Sequence, residues 1–80
     1  MKISFPIRIK YLSQYKKLVD FLDNYNFSWI EGQKPSRFTP SVALPFYIGC
    51  VGRSGNYKLY YRTEEQAKAD SDIYNIEVEL

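Results

Sequence analysis

The chain has 80 residues, with 11 Lys and Arg against 9 Asp and Glu for a net charge of +2, no histidine and one cysteine. That balance lies far from the strongly basic domain of a dedicated nucleic-acid binder, and it excludes a DNA mimic, which would present a field of carboxylates. One cysteine excludes an internal disulfide, and the Cys and His sets of a structural zinc site are missing from the sequence.

With 45% hydrophobic and 18% aromatic residues, the composition is that of a folded domain and not a disordered chain. Residues 1–80 make one domain, of a size that buries only about 60% of the surface its unfolded chain exposes. Eight tyrosines suit half-buried positions and recognition surfaces, because each carries an apolar ring with a polar tip. A lone cysteine fits a reducing cytoplasm. The start, "MKISFPIRIK", has a proline and charges where a signal peptide needs an unbroken apolar run, and no stretch approaches the length of a membrane span. The expectation is a soluble, cytoplasmic protein.

Ile3, Phe5, Ile7 and Ile9 alternate with Ser4, Pro6, Arg8 and Lys10, the period of a strand with one buried face. Pro6 lacks an N–H for a ladder, which places that strand at an edge or its pairing at one side. Ser13 is a candidate cap for a helix in which Tyr15, Leu18, Val19, Leu22 and Tyr25 recur at helical spacing, broadened by Phe21. Asn24 or Asn26 is the expected left-handed stop. Phe27 to Ile30 read as a short strand or extended segment.

From Glu31 to Pro45 neither period holds, and Pro35, Pro40 and Pro45 bias the residues before them away from helix. A connection of about fifteen residues without structure is uncommon and is usually functional or mobile; Phe38, Val42 and Leu44 are expected to tuck beneath it. "FYIGCV" and "YKLYYR" flank "GRSGN", a β-hairpin with Phe46, Ile48 and Cys50 on one face and Leu59 and Tyr61 on one face of the partner. "TEEQ" is a capping box, Thr63 as cap and Gln66 reaching back, for a short helix to about Asp70. Tyr74, Ile76, Val78 and Leu80 alternate as a last strand.

The predicted class is therefore α+β: a mainly antiparallel sheet with helices on one face, in the order β-α-(β)-β-β-α-β. Setting the Trp29 segment aside leaves the ferredoxin-like order, a split βαβ. About ten residues join Arg62 to Ile73, near the lower limit for a parallel crossover, so an antiparallel meander is the alternative.

Strand alternation predicts an exposed sheet face carrying Arg8, Tyr47, Gly49, Val51, Lys58, Tyr60 and Arg62, with Glu77 and Glu79 on the last strand. Tyr60 between Lys58 and Arg62 is the pattern of a single-stranded nucleic-acid platform, an aromatic flanked by cations. Gly49, Gly52 and Gly55 with Arg53 would cradle a phosphate if their N–H groups converged, although a hairpin needs such glycines for its own turn. Asp70, Ser71 and Asp72 fall short of a calcium loop and fit a helix end better. Cys50 lies among apolar strand residues, where a thiol is inert, and no acid or base pair stands in an apolar setting. The expectation is a protein that is not an enzyme and needs no cofactor or metal. Trp29, Tyr47, Tyr60, Arg37 and Arg53 are of the types that dominate interface energetics, and a pliant loop beside an open sheet face suits a grip on a larger protein or a homodimer. Lys34 and Arg37 lack a structural role and are the first polar contacts to test. Trp29 itself reads as core or contact.

"WIEGQKP" at Trp29 to Pro35, "YIGCVG" and "KLYY" at Lys58 to Tyr61, behind an amphipathic first strand and a short helix, resemble small proteins encoded by tailed bacteriophages. The resemblance covers most of the chain and implies a habit, not a site: such proteins often bind and disable a host enzyme or a defence system, anti-CRISPR proteins being one sort. The expected function is thus a non-enzymatic inhibitor acting by contact with a host protein in the bacterial cytoplasm. A single-stranded nucleic-acid module and a sponge for a small phosphorylated signal are the alternatives.

Overall fold

Pro6 divides the predicted first strand into two that belong to different sheets. The computed structural model describes residues 1–53, 55–69 and 73–80, and in it β1 (Lys2–Phe5) and β2 (Ile7–Ile9) flank a cis Phe5–Pro6 peptide. A residue without an N–H serves neither ladder, so the chain changes partner there. β1 pairs antiparallel with the last strand, Ile76–Glu79, as a two-stranded sheet. β2 is an edge of a four-stranded sheet, pairing antiparallel with the strand Phe46–Arg53.

The first helix, α1, runs Leu12–Leu22 and starts at Tyr11 instead of Ser13, which lies inside the first turn. No side chain caps its first turn; Gln14 instead ties the helix to the chain before it, its Oε1 accepting from Lys10 N–H at 3.0 Å and its Nε2 donating to Arg8 C=O at 2.9 Å. Neither Asn24 nor Asn26 takes the left-handed stop. No described non-glycine residue has a positive φ, and the helix closes through tighter bonds, Asn24 N–H to Phe21 C=O and Tyr25 N–H to Leu22 C=O. Such three-residue turns satisfy the terminal carbonyls without a glycine.

β3 (Phe27–Trp29) follows, then a single 3-10 turn at Pro35–Arg37, then β4 (Phe46–Arg53) and β5 (Asn56–Thr63). The hairpin register pairs Phe46 with Thr63 through to Arg53 with Asn56. The sheet order is β2-β4-β5-β3, and β3 runs parallel to β5. After β5 come α2 (Glu64–Ala69) and β6 (Ile76–Glu79).

The fold is α+β, two helices with a mainly antiparallel open sheet. The ferredoxin-like order does not form, because β2 lies antiparallel to β4 and β6 leaves the main sheet for β1. One face of that sheet makes the core. Ile9, Phe46, Ile48, Cys50, Leu59, Phe27 and Trp29 are buried on it, covered by Tyr15, Val19 and Leu22 of α1 and by Phe5 and Val78 of the small sheet. α2 contributes no buried side chain. It begins with the predicted capping box, Thr63 N–H to Gln66 Oε1 at 2.9 Å and Gln66 N–H to Thr63 Oγ1 at 3.1 Å.

Candidate binding surface

Trp29 is core, only 4% exposed, and its indole N–H donates to Pro35 C=O at 3.1 Å. This ring organises the connection that follows. Trp29 N–H donates to Gln33 C=O and Gly32 N–H to Trp29 C=O, both at 2.8 Å, closing a tight turn in which Gly32 takes φ +103°; glycine is the residue that adopts this backbone cheaply. Phe38 meets the indole edge-on at 5.0 Å between centroids, and Tyr15 Oη donates to Phe38 C=O. Ser36 N–H donates to Asp23 Oδ1 at 3.0 Å. The segment Glu31 to Pro45 is therefore clamped at several points and not the pliant loop its composition predicts. Phe38 and Val42 pack beneath it as expected, but Leu44 is 43% exposed.

The clamp leaves specific side chains in solvent. Ile30 is 61% exposed, and Glu31, Lys34 and Arg37 are exposed beside it in sequence. Ile30 is the exposed apolar residue that sequence reasoning did not single out. The signal was present: Phe27 and Trp29 point inward, so Ser28 and Ile30 must point out.

The opposite sheet face gathers most of the remaining candidates. Register places Arg8 against Tyr47 and Tyr47 against Arg62, with Gly49 against Tyr60 and Val51 against Lys58. Tyr60 is a correction, since it is 7% exposed instead of open. Its ring lies over Gly49, where any Cβ would collide with it, and its hydroxyl accepts from Tyr74 N–H at 3.3 Å. The Arg62 guanidinium stands 4.7 Å from the Tyr60 ring centroid, and Lys58 Nζ donates to Ser28 Oγ at 2.9 Å. Arg8 pairs with Glu64 of α2 at 2.9 Å, and that hydrogen bond raises its pKa further. Tyr47, Lys58 and Arg62 are half-buried. Glu77 and Glu79 do not share this face. They stand on β6, near Lys2 at 3.9 Å and the N-terminal amine at 3.7 Å.

Arg53 is exposed at the hairpin end. The three glycines serve the hairpin: Gly49 sits under Tyr60, Gly52 faces Asn56 C=O too closely for a side chain, and Gly55 takes φ +82°. The Asp70 to Asp72 triplet lies outside the described residues. Cys50 is wholly buried, and burial pushes its thiol up to about 11. At neutral pH it stays protonated, the opposite of an activated nucleophile.

A pocket of about 520 Å³ opens where β3 ends, lined among others by Ile30, Gln33, Phe38, Tyr61, Arg62 and Gln66. It joins the clamped connection to the end of β5, which pairs with β4 on one side and, among the described residues, with no strand on the side of β3. Gln33 Oε1 is buried there and has no hydrogen-bond partner. Among the described residues no helix is long and apolar enough to cross a membrane, and no three His, Cys, Asp or Glu side chains converge on a cation site. No protein family, no curated protein and no solved structure matches the chain.

Proposed function

We propose that the protein is a non-catalytic binding protein that acts by protein–protein contact, and that it disables an enzyme or a defence protein of a bacterial host. The observation that carries the contact reading is Ile30: a large apolar side chain, 61% exposed, held on a turn whose backbone is fixed by two hydrogen bonds. A side chain on a rigid platform loses little entropy on docking, which is how preorganised surfaces gain affinity. Glu31, next to it in the chain, and Lys34 and Arg37 farther along the same connection are exposed polar groups of the kind that rim an interface. The buried, protonated Cys50 thiol supports a role without covalent chemistry. The host-directed part of the proposal rests on the phage-like "WIEGQKP", "YIGCVG" and "KLYY" segments.

The experiment is a tagged pull-down from bacterial lysate with wild type, Ile30→Asp and the double variant Lys34→Glu, Arg37→Glu, all checked for folding. A partner retained by wild type and lost by Ile30→Asp is expected. Equal retention by the folded variants would overturn this surface.

A second reading rests on the Arg8, Lys58 and Arg62 side chains sharing one sheet face with Tyr47. It would bind single-stranded nucleic acid or a small phosphorylated molecule. Burial of Tyr60 weighs against it, because a ring covered on its sheet cannot receive a base by stacking.

A further inference from the structure

We propose that the partner adds an extended segment to the free edge of β5, as a strand in line with β3; this deepens the contact reading above and rests on it. The edge is defined by where β3 stops. Ile30 N–H donates to Leu59 C=O at 3.1 Å, the last bond between the two strands, and the turn at Trp29–Gly32 then carries the chain away. Backbone groups alternate sides along a strand, so those of Tyr61 and Thr63 point the same way as those of Leu59. On that side they have no strand beside them among the described residues.

Two of these groups are covered locally. Tyr61 C=O accepts from Arg62 Nη1 at 2.9 Å, and Thr63 N–H donates to Gln66 Oε1 at 2.9 Å. Side chains that cap an edge in this way keep it from random pairing. Among the described residues Tyr61 N–H has no such cover, and Tyr61 lines the same pocket as Gln33, whose Oε1 is buried without a donor. A peptide unit entering the pocket would offer a C=O to Tyr61 N–H, and an N–H to Gln33 once that buried side chain turns toward it. A buried polar group left unpaired is costly, so a ligand that satisfies it recovers that cost. The apolar wall of Ile30 and Phe38 would take one side chain of the incoming segment, the usual division in strand addition between main-chain affinity and side-chain pockets. From Tyr61 to Thr63 the edge has room for about three residues at roughly 3.3 Å each.

The first test needs no partner. Amide hydrogen exchange read by NMR should find Tyr61 N–H exchanging far faster than Leu59 N–H on the same strand. Equal strong protection of both would mean the edge is closed and would end the proposal. The second uses a library of short synthetic peptides of alternating apolar and polar residues. Peptides are expected that protect the Tyr61 amide, that bind roughly three- to tenfold more weakly to Gln33→Leu, as loss of one hydrogen bond implies, and that lose binding when their backbone is N-methylated. Gln33→Leu should fold at least as well as wild type, because it removes an unpartnered acceptor. A library without binders, or binders indifferent to Gln33→Leu and to N-methylation, contradicts strand addition. If a host protein is nevertheless captured through Ile30, the contact reading survives alone; if Ile30→Asp also retains it, both fail.

Discussion

Tyr60 lies across Gly49 on the neighbouring strand, and each explains the other. The pair stands in direct register, and the missing Cβ at Gly49 is what lets the ring lie down, become 7% exposed and receive Tyr74 N–H on its hydroxyl. Gly49→Ala should therefore lift the ring off the sheet and destabilise the fold by about 1–3 kcal/mol, the cost of overpacking a filled site. Urea denaturation checks it; a midpoint within error of wild type would show that the ring moves aside freely.

Trp29→Ala should behave as a core truncation, costing about 3–5 kcal/mol, and it would report on folding before it reported on binding. Trp29→Phe keeps most of the ring area while removing the bond to Pro35 C=O. It is expected to lose about 1 kcal/mol of net hydrogen-bond stability, with faster amide exchange at the connection. Unchanged exchange near residues 33–37 would show that other contacts hold the clamp.

Much of the framework was legible, for local reasons. The hairpin, the Thr63–Gln66 capping box and the inward set Ile9, Phe46, Ile48, Cys50 and Leu59 follow from period and turn chemistry within a few residues. What escaped was set by distant neighbours. That Pro6 hands the chain from β6 to β4, and that Tyr60 is covered because Gly49 lies opposite, depend on strand register that no local pattern encodes. The connection after Trp29 looked loose because its restraints come from Tyr15 on α1, from Asp23 just after it and from an indole N–H, all outside its own periodicity. Ser13 falls inside the first turn for a smaller reason: the helix begins at Leu12 with Tyr11 as its cap position, and boundaries read from sequence are good only to a residue or two.

Alkali should unfold the protein earlier than its charge balance alone would. Burial lifts Cys50 from an ordinary 9.0 to about 11 and Tyr15 from 10.0 to about 12. Both acids are thus held neutral in the folded state, so their contribution is complete below the unfolded values and is lost as pH climbs through the folded ones. The urea midpoint should be steady below about pH 9 and fall between there and pH 12, with Cys50→Ala removing the earlier part of the slope. A slope that starts at the same pH in the variant would assign the effect elsewhere.

Single-stranded oligonucleotides should bind weakly or not at all at physiological salt, since Tyr60 offers no free ring face and Arg8 is paired with Glu64. Fluorescence anisotropy with a labelled oligothymidine and an oligouridine measures this. Tight binding that falls steeply with salt and is lost in Lys58→Glu, Arg62→Glu would make the sheet face the functional one.

The most direct measurement compares the affinity of wild type and Ile30→Asp for the host protein that wild type retains, by calorimetry with purified components. A charge forced into a desolvated contact should weaken binding at least tenfold, equivalent to about 1.4 kcal/mol, while the melting temperature stays within a few degrees of wild type because Ile30 is 61% exposed. Undiminished affinity in a folded Ile30→Asp variant would contradict the account and move the contact away from the Trp29 turn.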